Sequence, residues 1–270
     1  MHARRRHRHV FAIVTGIAAL IALTLSTAEA TPRAAHPYHT TADSAIDQRY
    51  SAEPALRQLL GPATAAEQTD GTIHYRTYQY GNLYYTPATG VHEVHGSILT
   101  AYYREGHYQK FGVPTTDEQP CADPAGRHNI FQLTAATGAT TTSGFYWRED
   151  LGAHSIVGAV FTKWAAAGYE WGLYGYPTSD TYSTATGATF NHFLGNDKAG
   201  ASIYVTALAG ANGVKGRIRD RWISLGGEYS YLGYPESDEF TVTGGKRSNF
   251  HGGYITWMAQ TGQTAVYRYY

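Results

Sequence analysis

Aliphatic and aromatic positions recur along the chain at a fixed step. Ile46, Ile98, Val160 and Ile218 are each followed four residues later by an aromatic residue, namely Tyr50, Tyr102, Trp164 and Trp222. Residues four apart share one face of a helix, so each pair predicts a short helix with one apolar face. Downstream of each pair stands a glycine–proline corner: Gly61-Pro62, Gly112-Val113-Pro114, Gly175-Tyr176-Pro177 and Gly233-Tyr234-Pro235. Glycine can adopt a left-handed cap and the proline just after it cannot continue a helix, so the corner is expected to stop the helix. Asp117, Asp180 and Asp238 each lie three residues past their prolines, behind Thr116, Ser179 or Ser237. Short oxygen-bearing side chains at such a place predict a turn lock, accepting from backbone N–H groups that the corner leaves unpaired. Ala65 holds this place in the first unit.

A second periodic signal follows each corner. Tyr85, Trp147, Val205 and Trp257 precede a glycine by five residues, respectively Gly90, Gly152, Gly210 and Gly262, and Val94, Ile156, Val214 or Val266 stands four residues after it. Strand, glycine turn and strand is a hairpin. The chain therefore divides into four helix, corner and hairpin units at about 45–96, 97–158, 159–216 and 217–270. One short helix and one hairpin cannot bury a core alone, so the predicted fold is a β-rich α+β repeat array packed as one domain over 45–270. From corner proline to strand aromatic, the second unit carries roughly ten more residues than the first and the third about five more. Such insertions are expected as loops on one face, where repeat proteins often bind their ligands.

The ends and the charge change the picture in one respect each. "MHARRRHRHV" followed by "VFAIVTGIAALIALTL" and "STAEA" reads as a signal peptide over 1–30, with Ala28 and Ala30 at the cleavage site, and 31–44 reads as a flexible linker. The full chain has 21 basic and 21 acidic residues; loss of the leader removes four arginines and Glu29, leaving 17 against 20. A slightly acidic exported chain, with no later apolar span, is not expected to bind nucleic acid, or a membrane once the leader is cleaved. Cys121 is the single cysteine, so no intrachain disulfide can form and a dimer bridged through Cys121 is the one covalent option.

Candidate chemistry is sparse. Asp117, Asp180 and Asp238, with Glu118 and Glu239 beside two of them, recur once per unit in a turn, which is a structural pattern rather than a pair of carboxylates set in one cleft. In "VHEVHG", His92 and His95 flank Glu93 three apart on a strand, where they project to opposite faces instead of converging on a metal. His154 matches His92 in the next unit and suggests a local turn contact. No metal or cofactor is expected. What remains is the 23 tyrosines and five tryptophans in a chain with only 16% charged residues. Sugar rings present flat C–H faces that stack on such side chains. Tyr108, Trp171 and Tyr229, each six residues before its corner proline, are the ligand candidates outside the repeated skeleton, with Asn129 and Asn191 as hydrogen-bonding partners.

"LGYPESDEF", "YGYPTSD", "RWISLGGEYSYLGYP", "GNLYYTPATGVHEVHG" and "LGAHSIVG" together resemble the LGFP repeat family of exported actinobacterial cell-envelope proteins, over roughly residues 45–270. The resemblance implies a propeller-like arrangement of repeats that anchors a protein to the cell wall. Its expected ligand is arabinogalactan or a peptidoglycan-linked glycan. It implies a non-catalytic module, since no second domain accompanies the repeats. The rival expectations are a small wall-active hydrolase or transferase, which would release sugar, and a secreted scaffold or inhibitor, which would hold a protein partner.

Overall fold

A computed structural model of the chain describes residues 43–269. The signal peptide and residues 31–42 of the expected linker lie outside the described residues. Ser44, at the end of that linker, is already part of the fold: its side chain caps the first helix at the Asp47 N–H (3.1 Å) and donates to Glu67.

Each unit is a helix followed by an antiparallel meander. The first unit has α1 (Ala45–Ala52), α2 (Pro54–Leu60) and strands β1 (Gln68–Asp70), β2 (Ile73–Thr77), β3 (Gly81–Thr86) and β4 (Gly90–His95). The second has α3 (Gly96–Glu105), α4 (His107–Phe111), β5 (Val113–Pro114), β6 (Gln119–Pro120), β7 (Gly126–Thr134), β8 (Thr140–Arg148) and β9 (Gly152–Val157). In the third, α5 (Gly158–Ala166) leads to β10 (Tyr182–Ser183), β11 (Thr189–Phe193), β12 (Ala201–Thr206) and β13 (Gly210–Lys215). The fourth has α6 (Gly216–Ser224), β14 (Phe240–Val242), β15 (Gly245–Phe250), β16 (Gly253–Met258) and β17 (Thr264–Arg268). Among the described residues this makes three four-stranded sheets and one of five strands, all antiparallel and separate, with no pairing that closes them into a barrel.

The predicted helix faces and hairpins are present, and the sheets are larger than the hairpins foreseen, because β2, β7, β11 and β15 add a third long strand to each unit. The ten extra residues of the second unit do not make only a loop: β7 and β8 pair over nine residues each, where the matching strands elsewhere have five or six. The five extra residues of the third unit form the link between β11 and β12. The helix stops before the corner, at Gly106 and Gly168 in the second and third units, and a short α4 or a 3-10 turn (Tyr169–Trp171, Gly227–Tyr229) bridges the gap. Corner glycines Gly112, Gly175 and Gly233 do hold positive φ of 70°, 71° and 65°. At Gly112 a Cβ would sit 1.8 Å from the Gln132 carbonyl oxygen, so only glycine lets the corner lie against the sheet. Each following proline then stands opposite a buried phenylalanine: Pro114 with Phe131, Pro177 with Phe193 and Pro235 with Phe250.

Alternation along the central strand explains how units stack. Leu83, Phe145, Ile203 and Ile255 face the helix of their own unit, while Tyr84, Tyr146 and Tyr204 face the next helix and pack on Tyr102, Trp164 and Trp222. Helices α3, α5 and α6 therefore sit between consecutive sheets. The helix aromatic has one further task that survives the exchange of Trp for Tyr. Tyr50 and Tyr102 hydroxyls and Trp164 and Trp222 indole N–H groups donate to the carbonyls of Gly61, Gly112, Gly175 and Gly233, at 2.6, 2.5, 2.8 and 3.0 Å. A buried corner carbonyl is satisfied in all four units by the same face that fills the core.

The corner aspartates do not lock their own turns. Thr116, Ser179 and Ser237 do that, accepting from Ile130, His192 and Asn249 N–H at 3.0, 2.8 and 2.9 Å. Asp117, Asp180 and Asp238 instead reach back to the previous unit's last strand and accept from Glu93, Ser155 and Gly213 N–H at 3.0, 2.9 and 2.8 Å. A cation from the previous unit's helix meets each of them: Arg49 (2.6 Å), Arg104 (2.9 Å) and Lys163. They are staples between units. At Ala65 there is no earlier repeat hairpin among the described residues for an acid to reach. His92 and His154 make the expected turn contact, to the Thr89 and Leu151 carbonyls at 2.9 and 3.1 Å, and their other ring nitrogens lie 3.3 and 3.4 Å from Asp117 and Asp180.

The fourth sheet departs by one residue. Ile255 pairs with Val266, whereas Leu83 pairs with Glu93 and Ile203 with Gly213, so Val266 points to its own core and not, like Val94, Ile156 and Val214, toward a following helix. A slip of one residue moves every side chain of the strand to the other face. Thr256 takes the place of the tyrosines that receive the next helix.

Candidate functional site

The structure separates the five ligand candidates. Asn129 and Asn191 are fully buried and are clamps, not ligand contacts. Asn129 Nδ2 donates to the Glu93 and Thr116 carbonyls (3.0 and 3.1 Å) and Asn191 Nδ2 to the Ser155 and Ser179 carbonyls (2.8 Å each), tying a corner to the unit before it. Tyr108 is only 8% exposed, packed in the core between the first two units, with its hydroxyl on Asp70 at 3.0 Å. Trp171 and Tyr229 are 67% and 79% exposed.

The count from the proline misplaces Tyr108 because its segment is one residue shorter. His107, Tyr169 and Gly227 share a positive φ of 57°, 56° and 59° just after the glycine that ends each helix, which sets the true correspondence. Tyr108 then matches Glu170 and Glu228, and Gln109 matches Trp171 and Tyr229. Contacts agree: Tyr108 binds Asp70, Glu170 accepts from Ala122 N–H (2.7 Å) and Glu228 accepts from the Tyr204 hydroxyl (3.2 Å), each reaching the preceding unit. The exposed position one residue later carries an aromatic only in the third and fourth units.

Of these two, Trp171 stands in a built cleft. Glu170 and Trp171 form a ridge between two cavities at the junction of the second and third units. One, of about 310 Å³, is lined by His128, Ile130, Tyr146 and Tyr169; the other, of about 140 Å³, by Arg148, Tyr176, Asn196 and Lys198 among others. The ridge is rigid at its base, where Tyr169 meets Trp164 edge to face at 5.4 Å and Glu170 is held by Ala122. His128 stacks on Tyr146 with ring centres 5.0 Å apart and planes within 7°, and burial lowers its pKa, so a neutral imidazole faces the larger cavity. On the other side Arg148 pairs with Asp150 (2.6 Å) and lies 4.7 Å from the Tyr176 ring centre. The third unit's insertion contributes Asn196 and Lys198, whereas His128 and Ile130 stand at repeated positions of β7, since Ile130 and His192 N–H meet Thr116 and Ser179 alike. Asn196 falls in that insertion and so was within reach of sequence reasoning; His128, Glu170, Tyr169 and Tyr176 carried no comparable signal.

The chemistry on offer is recognition by an exposed indole with donors and acceptors on both flanks. Cys121 is buried, 3.7 Å from His128 Nδ1, and burial pushes its thiol up to about 12. A thiol held protonated beside a neutral imidazole is not an activated nucleophile, and at 6% exposure it is not placed to bridge two chains either. The repeated aspartates are spent on stapling. Burial pushes the Asp180 carboxyl upward, but His154, the Ser155 N–H and Arg104 outweigh it and hold it at about 2, and Asp117 is held lower still by His92, Arg49 and the Glu93 N–H. No cluster of three or more His, Cys, Asp or Glu side chains able to hold a metal occurs among the described residues, and no helix among them is long and apolar enough to cross a membrane.

A search of curated proteins finds no match to this chain. A family model described as the LGFP repeat matches residues 60–109, 111–172, 175–230 and 232–269. Each matched segment starts at or beside a corner and the first three run through the sheet into the next helix, the same grouping that shares a core. With four matches over most of its length, the chain belongs to the LGFP repeat family.

Proposed function

We propose that this protein is an exported, non-catalytic module that binds cell-wall polysaccharide, arabinogalactan or a peptidoglycan-linked glycan. The observation that carries the reading is Trp171: a large apolar ring, 67% exposed, on a braced ridge with a cavity on either side. An exposed indole between two cavities offers a flat apolar face, which a pyranose or furanose face covers while the ring hydroxyls find Glu170, His128, Asn196 and Lys198. The balance of charge around the ridge suits a neutral sugar. A propeller-like arrangement, in which helix wedges set the angle between successive sheets, belongs to the same reading.

The test is co-sedimentation of the purified protein with insoluble walls before and after arabinogalactan is stripped, with the supernatant assayed for released sugar. The expected result is binding that depends on the polysaccharide, no sugar released, and weakening in Trp171→Ala. Release of sugar would favour a wall-active hydrolase, and indifference to both wall preparations would favour a protein partner.

A further inference from the structure

Charge is unevenly distributed along the array. Residues 43–197 hold 8 basic side chains against 15 acidic ones, and residues 198–269 hold 8 against 5. Pairing is uneven too. Every lysine and arginine between residues 43 and 197 except Arg57 lies within 4.0 Å of a carboxylate oxygen, whereas from Lys198 onward none does among the described residues. Helix α6 is the main cause: at alternate positions it carries Arg217, Arg219 and Arg221 just after Lys215, where α5 has only Lys163. Keeping like charges together without counter-ions costs stability, so such a patch is informative.

These unpaired cations surround space. A cavity of about 200 Å³ between the third and fourth units is lined by three cations, Lys215, Arg217 and Lys246, and two acids, Asp197 and Glu239, with Trp257 as an apolar wall. An open groove of about 520 Å³ adjoins it through Arg217 and continues past Asp220 and Arg221 to Thr264. Lys246 donates to the Thr241 hydroxyl at 3.0 Å, which leaves donors free, and Lys215 and Arg217 have no hydrogen-bond partner for their side chains among the described residues.

We propose that this junction is a second binding site, separate from the Trp171 ridge, for an oxyanion, carboxylate or phosphodiester, carried at intervals on a polyol chain. Lys215, Arg217 and Lys246 supply charge-assisted hydrogen bonds to the anion, and Trp257 packs against the C–H face of the polyol that carries it. The three acids interleaved with the cations decide the spacing. A duplex nucleic acid, with a charge every ~1.7 Å of its axis, would meet Asp197, Asp220 and Glu239 repulsively, whereas a chain with sparse anions and many hydroxyls can set its anions on the cations and its hydroxyls on the carboxylates. The proposal does not depend on the neutral-glycan reading of the ridge.

The test is calorimetry of the full chain with an oligogalacturonate, a poly(glycerol phosphate) fragment, a neutral arabinogalactan fragment and a DNA duplex, at about 50 and 300 mM NaCl. Binding of at least one acidic probe, weakened about tenfold or more by salt and by Lys215→Gln/Arg217→Gln/Lys246→Gln but kept in Trp171→Ala, is the expected result. Preference between the two acidic probes tells a uronate from a phosphodiester source. The charge-keeping Lys215→Arg/Lys246→Arg variant is expected to bind, which separates loss of charge from loss of fold. Failure of both acidic probes, binding untouched by the triple variant, or equal binding of the DNA duplex would overturn the proposal. Loss of neutral-glycan binding alone would count against the ridge and leave this site standing.

Discussion

From Gly106 to Pro114 and from Gly168 to Pro177 the chain does the same thing, carrying a helix end to a corner, and the second path is one residue longer. In the shorter one, five residues close into α4 and Tyr108 turns into the core. The longer one makes a 3-10 turn, Glu170 takes over the inward contact and Trp171 is left outside. Aromatic residues at the same distance from the corner proline thus have opposite roles in neighbouring repeats. Register from the helix side, not distance from the proline, decides which aromatic is core and which is surface.

The comparison breaks most sharply at Tyr108. Tyr108→Ala removes a core ring and is expected to cost about 3 kcal/mol in denaturant unfolding without changing wall binding. A loss of binding with stability intact would mean that the shorter segment is a ligand surface after all. Next comes the staple just past the longer segment. Asp180 titrates at about 2 against an ordinary 3.8, so it contributes stability above pH 4 that is lost as pH falls toward 2, on the order of 2 kcal/mol. Unfolding followed from pH 5 to 2 should show this fall in the wild type and a smaller one in Asp180→Asn, whose stability at neutral pH is already reduced.

Trp171→Ala should do the reverse of Tyr108→Ala, leaving stability within about 0.5 kcal/mol and weakening polysaccharide binding about tenfold. The smallest effect is the most direct check on the register. Gln109→Trp places an indole where the second unit should present one, with stability changed by less than about 0.5 kcal/mol and a gain in binding of no more than a few fold. A large loss of stability would show that position 109 is not the surface equivalent of Trp171.

Much of the skeleton was readable because it is periodic. The pairs Ile98 with Tyr102 and Val160 with Trp164 mark helix faces by local geometry alone, Gly90, Gly152 and Gly210 mark turns, and His92 and His154 mark a contact three residues away in the same chain segment. The candidate site was half readable. Trp171 and Tyr229 stood out as aromatics outside the repeat, but their distance from the proline does not distinguish them from Tyr108, whose burial depends on contacts with the preceding unit such as Asp70, 38 positions earlier. Asn129 and Asn191 look like surface amides in an insertion, and become clamps only because the corner and the previous sheet bring two carbonyls within 3.1 Å of each amide.

The repeat, its helix face, its glycine corner and its hairpin turns are written in local sequence, because each follows from backbone preferences and spacings of a few residues. What those parts touch was set by the packing of the units. It gave the corner aspartate to the preceding unit instead of its own turn and slipped β17 by one residue so that Val266 seals the last core. It also set Glu170 and Trp171 on a ridge between two cavities. Each of these depends on groups distant in the chain, which meet only after the array has packed.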